Sequence, residues 1–374
     1  MNDTMKADRS RRTFVAGCLA AVVCPVVPGW ARNRGGVRRN PDALPAAPQL
    51  QSQDQNTGGA GRPLETVAGP IALADLGWTL MHEHVLVDFI GASEVSPSRY
   101  DADAVFKTVL PHLRQARDLG CRTLVECTPA YLARDPRLLR RLAEASGLHI
   151  VTNTGYYGAA KDKFVPPHAY SETAEALAAR WAREWTDGIE GTGIKPGFMK
   201  IGVDEGKLSD IDAKLVRAAA LTHRATGLPI ASHTGNGIAA FEQLDLLQAA
   251  QVPLGSFIWV HAQSEKDAAF HIGAAKRGAW VEFDGVSEAS VTRHVELVSR
   301  MKTAGLLDRV LVSHDAGWYR PGEPGGGAFR PFDTVFTTFV PALAAAGFSE
   351  GEVRQLFVEN PRRALEARPP SSPL

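Results

Sequence analysis

From about Leu64 the chain alternates short, almost wholly apolar runs with longer segments whose apolar residues recur every three or four positions. The first pattern predicts strands buried on both faces, the second helices with one apolar stripe. Strands are expected at 79–88, 121–128, 149–156, 197–203, 229–233, 257–261, 279–284 and 310–315. Helices are expected at 101–119, 135–146, 171–187, 210–226, 237–250, 265–277, 291–304 and 333–346, and a short last one at 349–358 stops before Asn360-Pro361. Within 101–119 the stripe is Val105, Val109, Leu113 and Ala116. Eight strand–helix units predict an α/β fold, a closed (β/α)8 TIM barrel spanning 64–366, with a short tail at 367–374. The alternative is an open doubly wound sheet. No Gly-x-Gly-x-x-Gly follows the first strand, which counts against dinucleotide binding.

Upstream of the barrel the texture differs. Ser10-Arg11-Arg12-Thr13-Phe14-Val15 opens an apolar run that reaches Val27, and small residues follow around Ala31. This predicts a signal peptide of the twin-arginine type over 1–31, hence use of the twin-arginine export machinery and a location in the bacterial periplasm. The run is too short and too poor in bulky residues for a membrane span. Residues 32–63, rich in Pro, Gln, Asn, Gly and Arg, read as a disordered linker. Of the four cysteines, Cys18 and Cys24 leave with the signal. Cys121 and Cys127 fall in one expected strand, about 20 Å apart, so no disulfide is expected. The formal net charge is zero, so nothing points to nucleic acid as a partner.

The chemistry lies at the strand ends. His82 and His84 alternate in the first strand and therefore share a face. Lys200 sits in the fourth strand, His233 ends the fifth, His261 the sixth and Asp315 the eighth. A single strand-end histidine is commonly a packing residue. Four histidines, a lysine and an aspartate on one rim of a barrel form a candidate metal site.

In this order and on these strands, His82-x-His84, Lys200, His233, His261 and Asp315 resemble the phosphotriesterase family of the amidohydrolase superfamily, and its phosphotriesterase-related and lactonase branches in particular. The stretches Ser313-His314-Asp315-Ala316-Gly317-Trp318-Tyr319 and Glu359-Asn360-Pro361-Arg362-Arg363 extend the likeness, whereas Met81 stands where the family has Thr. The resemblance implies two divalent metal ions, commonly Zn2+. His82, His84 and Asp315 would hold the buried ion, His233 and His261 the exposed one, and Lys200, carboxylated on its side-chain nitrogen, would bridge them. It also implies a bridging hydroxide as nucleophile, with Asp315 taking its proton. The substrate would be a small molecule with an ester-type bond, a lactone or an organophosphate triester. Amide hydrolysis or deacetylation, and a non-catalytic exported binding barrel, are the alternatives. A homodimer fits the family's habit.

Other positions have two readings each. Asp284 could hold a ligand histidine or cap a loop; Tyr156 and Tyr157 could touch substrate or pack; Trp318 and Tyr319 are expected in the pocket wall. Glu83 and His314, on the opposite face from the ligands, are expected in structural contacts. His112, His223, His271 and His294 fall on helices and read as surface or packing residues.

Overall fold

The computed structural model describes residues 62–367. The expected signal, nearly all of the linker and the last seven residues of the tail lie outside the described residues. An antiparallel hairpin, Leu64–Thr66 with Gly69–Ile71, precedes the barrel.

The barrel strands are β1 (Thr79–Leu86), β2 (Thr123–Glu126), β3 (His149–Val151 and Asn153–Thr154), β4 (Phe198–Val203), β5 (Ile230–Thr234), β6 (Phe257–Val260), β7 (Trp280–Phe283) and β8 (Val310–Val312 and Ala316–Tyr319). Every neighbouring pair is parallel, from Leu80↔Leu124 through Gly202↔His233 to Phe283↔Val312. Gly317↔His84 pairs β8 with β1 and closes the ring. Two strands are interrupted, β3 at Thr152 and β8 over 313–315.

Parallel strands covered by helices must be apolar on both faces, and two apolar layers result. Met81, Val125, Val151, Phe198, Ile258 and Leu311 pack inside the barrel. Leu80, Leu124, Ile150, Met199 and Val312 face the helices, joined there by the expected stripe of Val105, Val109, Leu113 and Ala116. The helix Asp210–Thr226 matches its expected bounds because Ser209 and Asp212 form a reciprocal cap at its start.

The differences from expectation are local. The second strand is shorter than 121–128, so Cys121 and Cys127 flank it; both are buried free thiols. The helix expected from residue 171 begins at Ala174, where Thr173 accepts the amide hydrogen of Ala176. The last helix does not stop before Asn360-Pro361. A widened π turn, Gln355–Glu359, runs straight into Asn360–Ala364. The π turn widens the helix just before Pro361, whose ring and missing N–H an unbroken α-helix accommodates poorly. Among the described residues no helix is long and apolar enough to cross a membrane.

Candidate metal centre

All six expected ligands line one pocket of about 100 Å³ at the C-terminal ends of the strands. His84 Nε2 lies 3.2 Å from Asp315 Oδ1, and His82 Nε2 lies 3.8 Å from the same oxygen. Lys200 Nζ approaches His82 Nε2 at 3.4 Å. The His233 and His261 rings meet edge to face, 4.3 Å between centroids.

The far-side nitrogens of His84, His233 and His261 are held by hydrogen bonds, and that of His82 lies beside a carboxylate. Asp284 Oδ1 accepts from His261 Nδ1 at 2.6 Å and from Gln263 Nε2 at 2.7 Å; its Oδ2 accepts the His261 amide at 2.9 Å and stands 3.2 Å from His82 Nδ1. A carboxylate so fully engaged orients two rings and has little left to offer a cation. His84 Nδ1 meets Thr128 Oγ1, and His233 Nδ1 meets the Tyr157 hydroxyl, both at 2.8 Å. Tying one ring nitrogen fixes the tautomer and aims the other. For His84, His233 and His261 the nitrogen left over is Nε2.

Burial first, and then the Lys200 charge, push His82 down to about 4 and His84 to about 3; burial also holds His233 well below the ordinary range. These three are neutral imidazoles at pH 7, the form that binds metals. Burial opposes charge on His261 too, but Asp284 outweighs it and raises that histidine. Burial lifts Asp315 to about 6.

The fit to a cation rests on what faces what. His82 Nε2, His84 Nε2 and Asp315 Oδ1 lie within 4.8 Å of one another. The Asp315 oxygen is buried with no hydrogen-bond partner. Lone pairs converging without a hydrogen between them are costly unless a positive ion joins them. Lys200 is buried and forms no ion pair among the described residues. Its one hydrogen-bond neighbour among the described residues is the His82 ring, and carboxylation of the Lys200 nitrogen would turn it into an anionic oxygen donor. The His82, His84 and Asp315 donors fit a divalent ion.

Asp315 is placed by Glu83. Glu83 Oε1 accepts from Ser313 Oγ at 2.7 Å, the His314 amide at 3.0 Å and His314 Nδ1 at 2.7 Å; its Oε2 accepts the Ala316 amide at 2.8 Å. His314 Nε2 accepts the Val335 amide at 2.8 Å, so the ring is neutral and carries its hydrogen on Nδ1. Pinned on both sides, Asp315 takes a left-handed backbone, φ 53°, and His261 does the same at φ 63°. Such strain persists only where the surroundings over-determine it.

Tyr157 and Trp318 reach this pocket; Tyr156 and Tyr319 do not. The Tyr156 hydroxyl pairs with His168 Nε2 at 3.0 Å and its ring lines a different cleft. Tyr319 is buried in the core between strands and helices. His223 and His271 bond backbone carbonyls, His294 does so within its own helix, and His112 stacks on Phe329. Sequence reasoning missed Thr128, Gln263 and Glu282. Glu282 is buried two residues before Asp284, on the same inward face, 3.8 Å from His82 Nδ1. That two-residue spacing was a usable signal. Burial, followed by the Asp284 charge, raises its carboxyl well above the usual range.

The model of the phosphotriesterase family matches residues 62–365. A phosphotriesterase homology protein of Escherichia coli (strain K12) is 32% identical over 294 residues, 78% of this chain and 98% of the relative. An aryldialkylphosphatase of Saccharolobus solfataricus is 26% identical over 300 residues, 77% of this chain and 95% of the relative. A solved structure described as organophosphate hydrolysis activity engineered from a weak promiscuous lactonase template superposes with a TM-score of 0.73 at 27% identity, over 81% of this chain and 100% of the other. The chain belongs to the phosphotriesterase family.

Proposed function

We propose that the chain is a metal-dependent hydrolase of ester-type bonds, with a small lactone as the preferred substrate and organophosphate triesters as the second class. The observation that carries this is the convergence of His82 Nε2, His84 Nε2 and the unpartnered Asp315 Oδ1 beside the buried Lys200. His82, His84 and Asp315 would hold one divalent ion, His233 and His261 another, with carboxylated Lys200 between them and zinc as the expected metal. When bound, the ions supply Lewis acidity for the substrate oxygen and lower the pKa of a water.

The chain's own residues do the rest. Asp315 accepts the proton of the attacking water at its free carboxylate oxygen. Asp284, Thr128 and Tyr157 keep the four imidazoles in register. Val87, Phe89, Leu132 and Trp318 wall the pocket with apolar surface and limit water. The pocket's small volume supports a compact ring over a bulky triester.

The test is a panel of lactones, aryl esters, a paraoxon-type triester and N-acetyl amides against zinc-loaded protein. Lactone turnover that requires metal is expected. Cleavage of the amides with every ester untouched would replace this reading by an amidase. Lys200→Ala is expected to abolish turnover, and a short-chain carboxylate to restore part of it. The paired arginines Arg11-Arg12 before the apolar run support export through the twin-arginine machinery. Fusing residues 1–40 to a folded reporter tests that, with Arg11→Lys/Arg12→Lys expected to block it.

A further inference from the structure

A second cleft, about 600 Å³, opens beside the histidine pocket and shares no lining residue with it. Its walls are aromatic and braced. The Tyr100 hydroxyl donates to Asp135 Oδ2 at 2.8 Å. Tyr131 and Tyr156 meet edge to face at 5.3 Å, and Tyr156 leans on Trp181 at the same separation. Rings fixed by such contacts offer preformed surface to a flat ligand.

The charges in the cleft are of two kinds. Arg134, buried at the floor, is neutralised: its two terminal nitrogens reach the Glu184 carboxylate at 2.9 and 2.8 Å, and Glu190 stands 3.7 Å away. Its Nε is buried without a partner. Arg183 and Asp187, by contrast, make no side-chain hydrogen bond or ion pair among the described residues. They lie one turn apart on the helix Ala174–Asp187 and both face the cleft. Residues four apart on a helix are neighbours, roughly 5–6 Å between their Cβ atoms. A cation and an anion at that spacing, neither held by a hydrogen bond or ion pair among the described residues, match the carboxylate and ammonium of an amino-acid head group.

The backbone supports a binding role. Ala133 and Glu190, both in the lining, have left-handed backbones at φ 77° and φ 50°. Non-glycine residues in this region cluster at functional sites, as His261 and Asp315 do at the histidine pocket.

We infer that this cleft is an accessory binding site for a small zwitterion with an aromatic body, of the aromatic α-amino-acid class. The ring lies among Tyr100, Tyr131 and Tyr156, the carboxylate on Arg183 and the ammonium on Asp187. This does not depend on the reaction proposed for the histidine pocket.

The test is calorimetric titration of L-phenylalanine into the full-length, zinc-loaded protein, with 3-phenylpropionate and phenethylamine as singly charged analogues. L-Phenylalanine is expected to bind saturably and about tenfold tighter than either analogue, each charge contributing on the order of one decade. Arg183→Ala is expected to weaken L-phenylalanine and 3-phenylpropionate, and Asp187→Ala to weaken L-phenylalanine and phenethylamine. Both sites are exposed, and circular dichroism checks the fold. Ser96→Trp, which fills the cleft from its rim, abolishes binding, and Asp315→Asn leaves it unchanged. Absence of saturable binding, no preference over the analogues, or indifference to both charge substitutions overturns the inference. So does loss of binding in Asp315→Asn, which would move the ligand to the histidine pocket.

Discussion

Replacing Glu83 by glutamine isolates the clamp that places Asp315. The carboxylate is completely buried and accepts from four donors on β8 and the break within it. In Glu83→Gln the amide oxygen can keep the Ser313 and His314 donors. The amide nitrogen then faces the Ala316 N–H, donor against donor. One charge-assisted hydrogen bond is lost, about 1.5–3 kcal/mol, and a buried N–H loses its acceptor, about 1–3 kcal/mol. The expected loss is therefore about 2.5–6 kcal/mol, a large part of a domain's usual stability. Urea unfolding measures it, and elemental analysis after dialysis measures whether Asp315 still contributes to metal retention. Ser313→Ala, which removes one donor and leaves the carboxylate three, is expected to cost only about 1 kcal/mol. A glutamine variant that unfolds within 1 kcal/mol of the parent and retains metal equally would refute the clamp.

Three further outcomes are expected. Asp284→Asn releases His82 and His261 together, and chelator competition is expected to show metal affinity reduced about 10–100-fold; unchanged affinity would mean that the rings are held by packing alone. Burial lifts the Glu126 carboxyl to about 7. The folded state thus binds this proton more tightly than the unfolded chain, so the stabilisation is complete below the unfolded pKa near 4.5 and is lost as pH rises through 7, about 3 kcal/mol in all. Urea midpoints from pH 5 to 8 are expected to slope less in Glu126→Gln, and an identical slope would assign the effect elsewhere. Removing metal with a chelator is expected to lower the thermal midpoint by the linkage free energy, about 4 kcal/mol at a thousand times Kd; coincident melting curves with and without metal would show that the ions do not bind the folded state.

The sequence carried the periodic features well and the local ones poorly. Eight strands, their order and the helix Asp210–Thr226 followed from apolar runs and from apolar residues recurring every three or four positions. The ligands were legible because alternation in a strand assigns a face, as it does for His82, Glu83 and His84. The same logic failed at Tyr156 and Tyr157. The break at Thr152 interrupts β3 before them, and only Tyr157 bridges to Gly202 and turns to the pocket. The left-handed turns at His261 and Asp315 were also out of reach. They arise from Asp284 and Glu83, partners on other strands, whereas a run such as Val310–Asp315 reads as one uninterrupted strand. The tyrosine-lined cleft draws on four separated segments, around residues 97, 131, 156 and 187, and has no signature in any one of them.

The Glu83 clamp also sets when the molecule can be finished. Glu83 and Ser313 are 230 positions apart. Contacts of such long range form late, because loop-closure entropy must be overcome before they stabilise anything. Until β8 docks, one edge of β1, a strand buried along its whole length in the finished fold, has no neighbour and is able to pair with another chain. Nascent chains that have emerged only as far as residue 300 are therefore the aggregation-prone species. Their hazard ends with the arrival of about twenty more residues, the same residues that bring Asp315 to the two histidines.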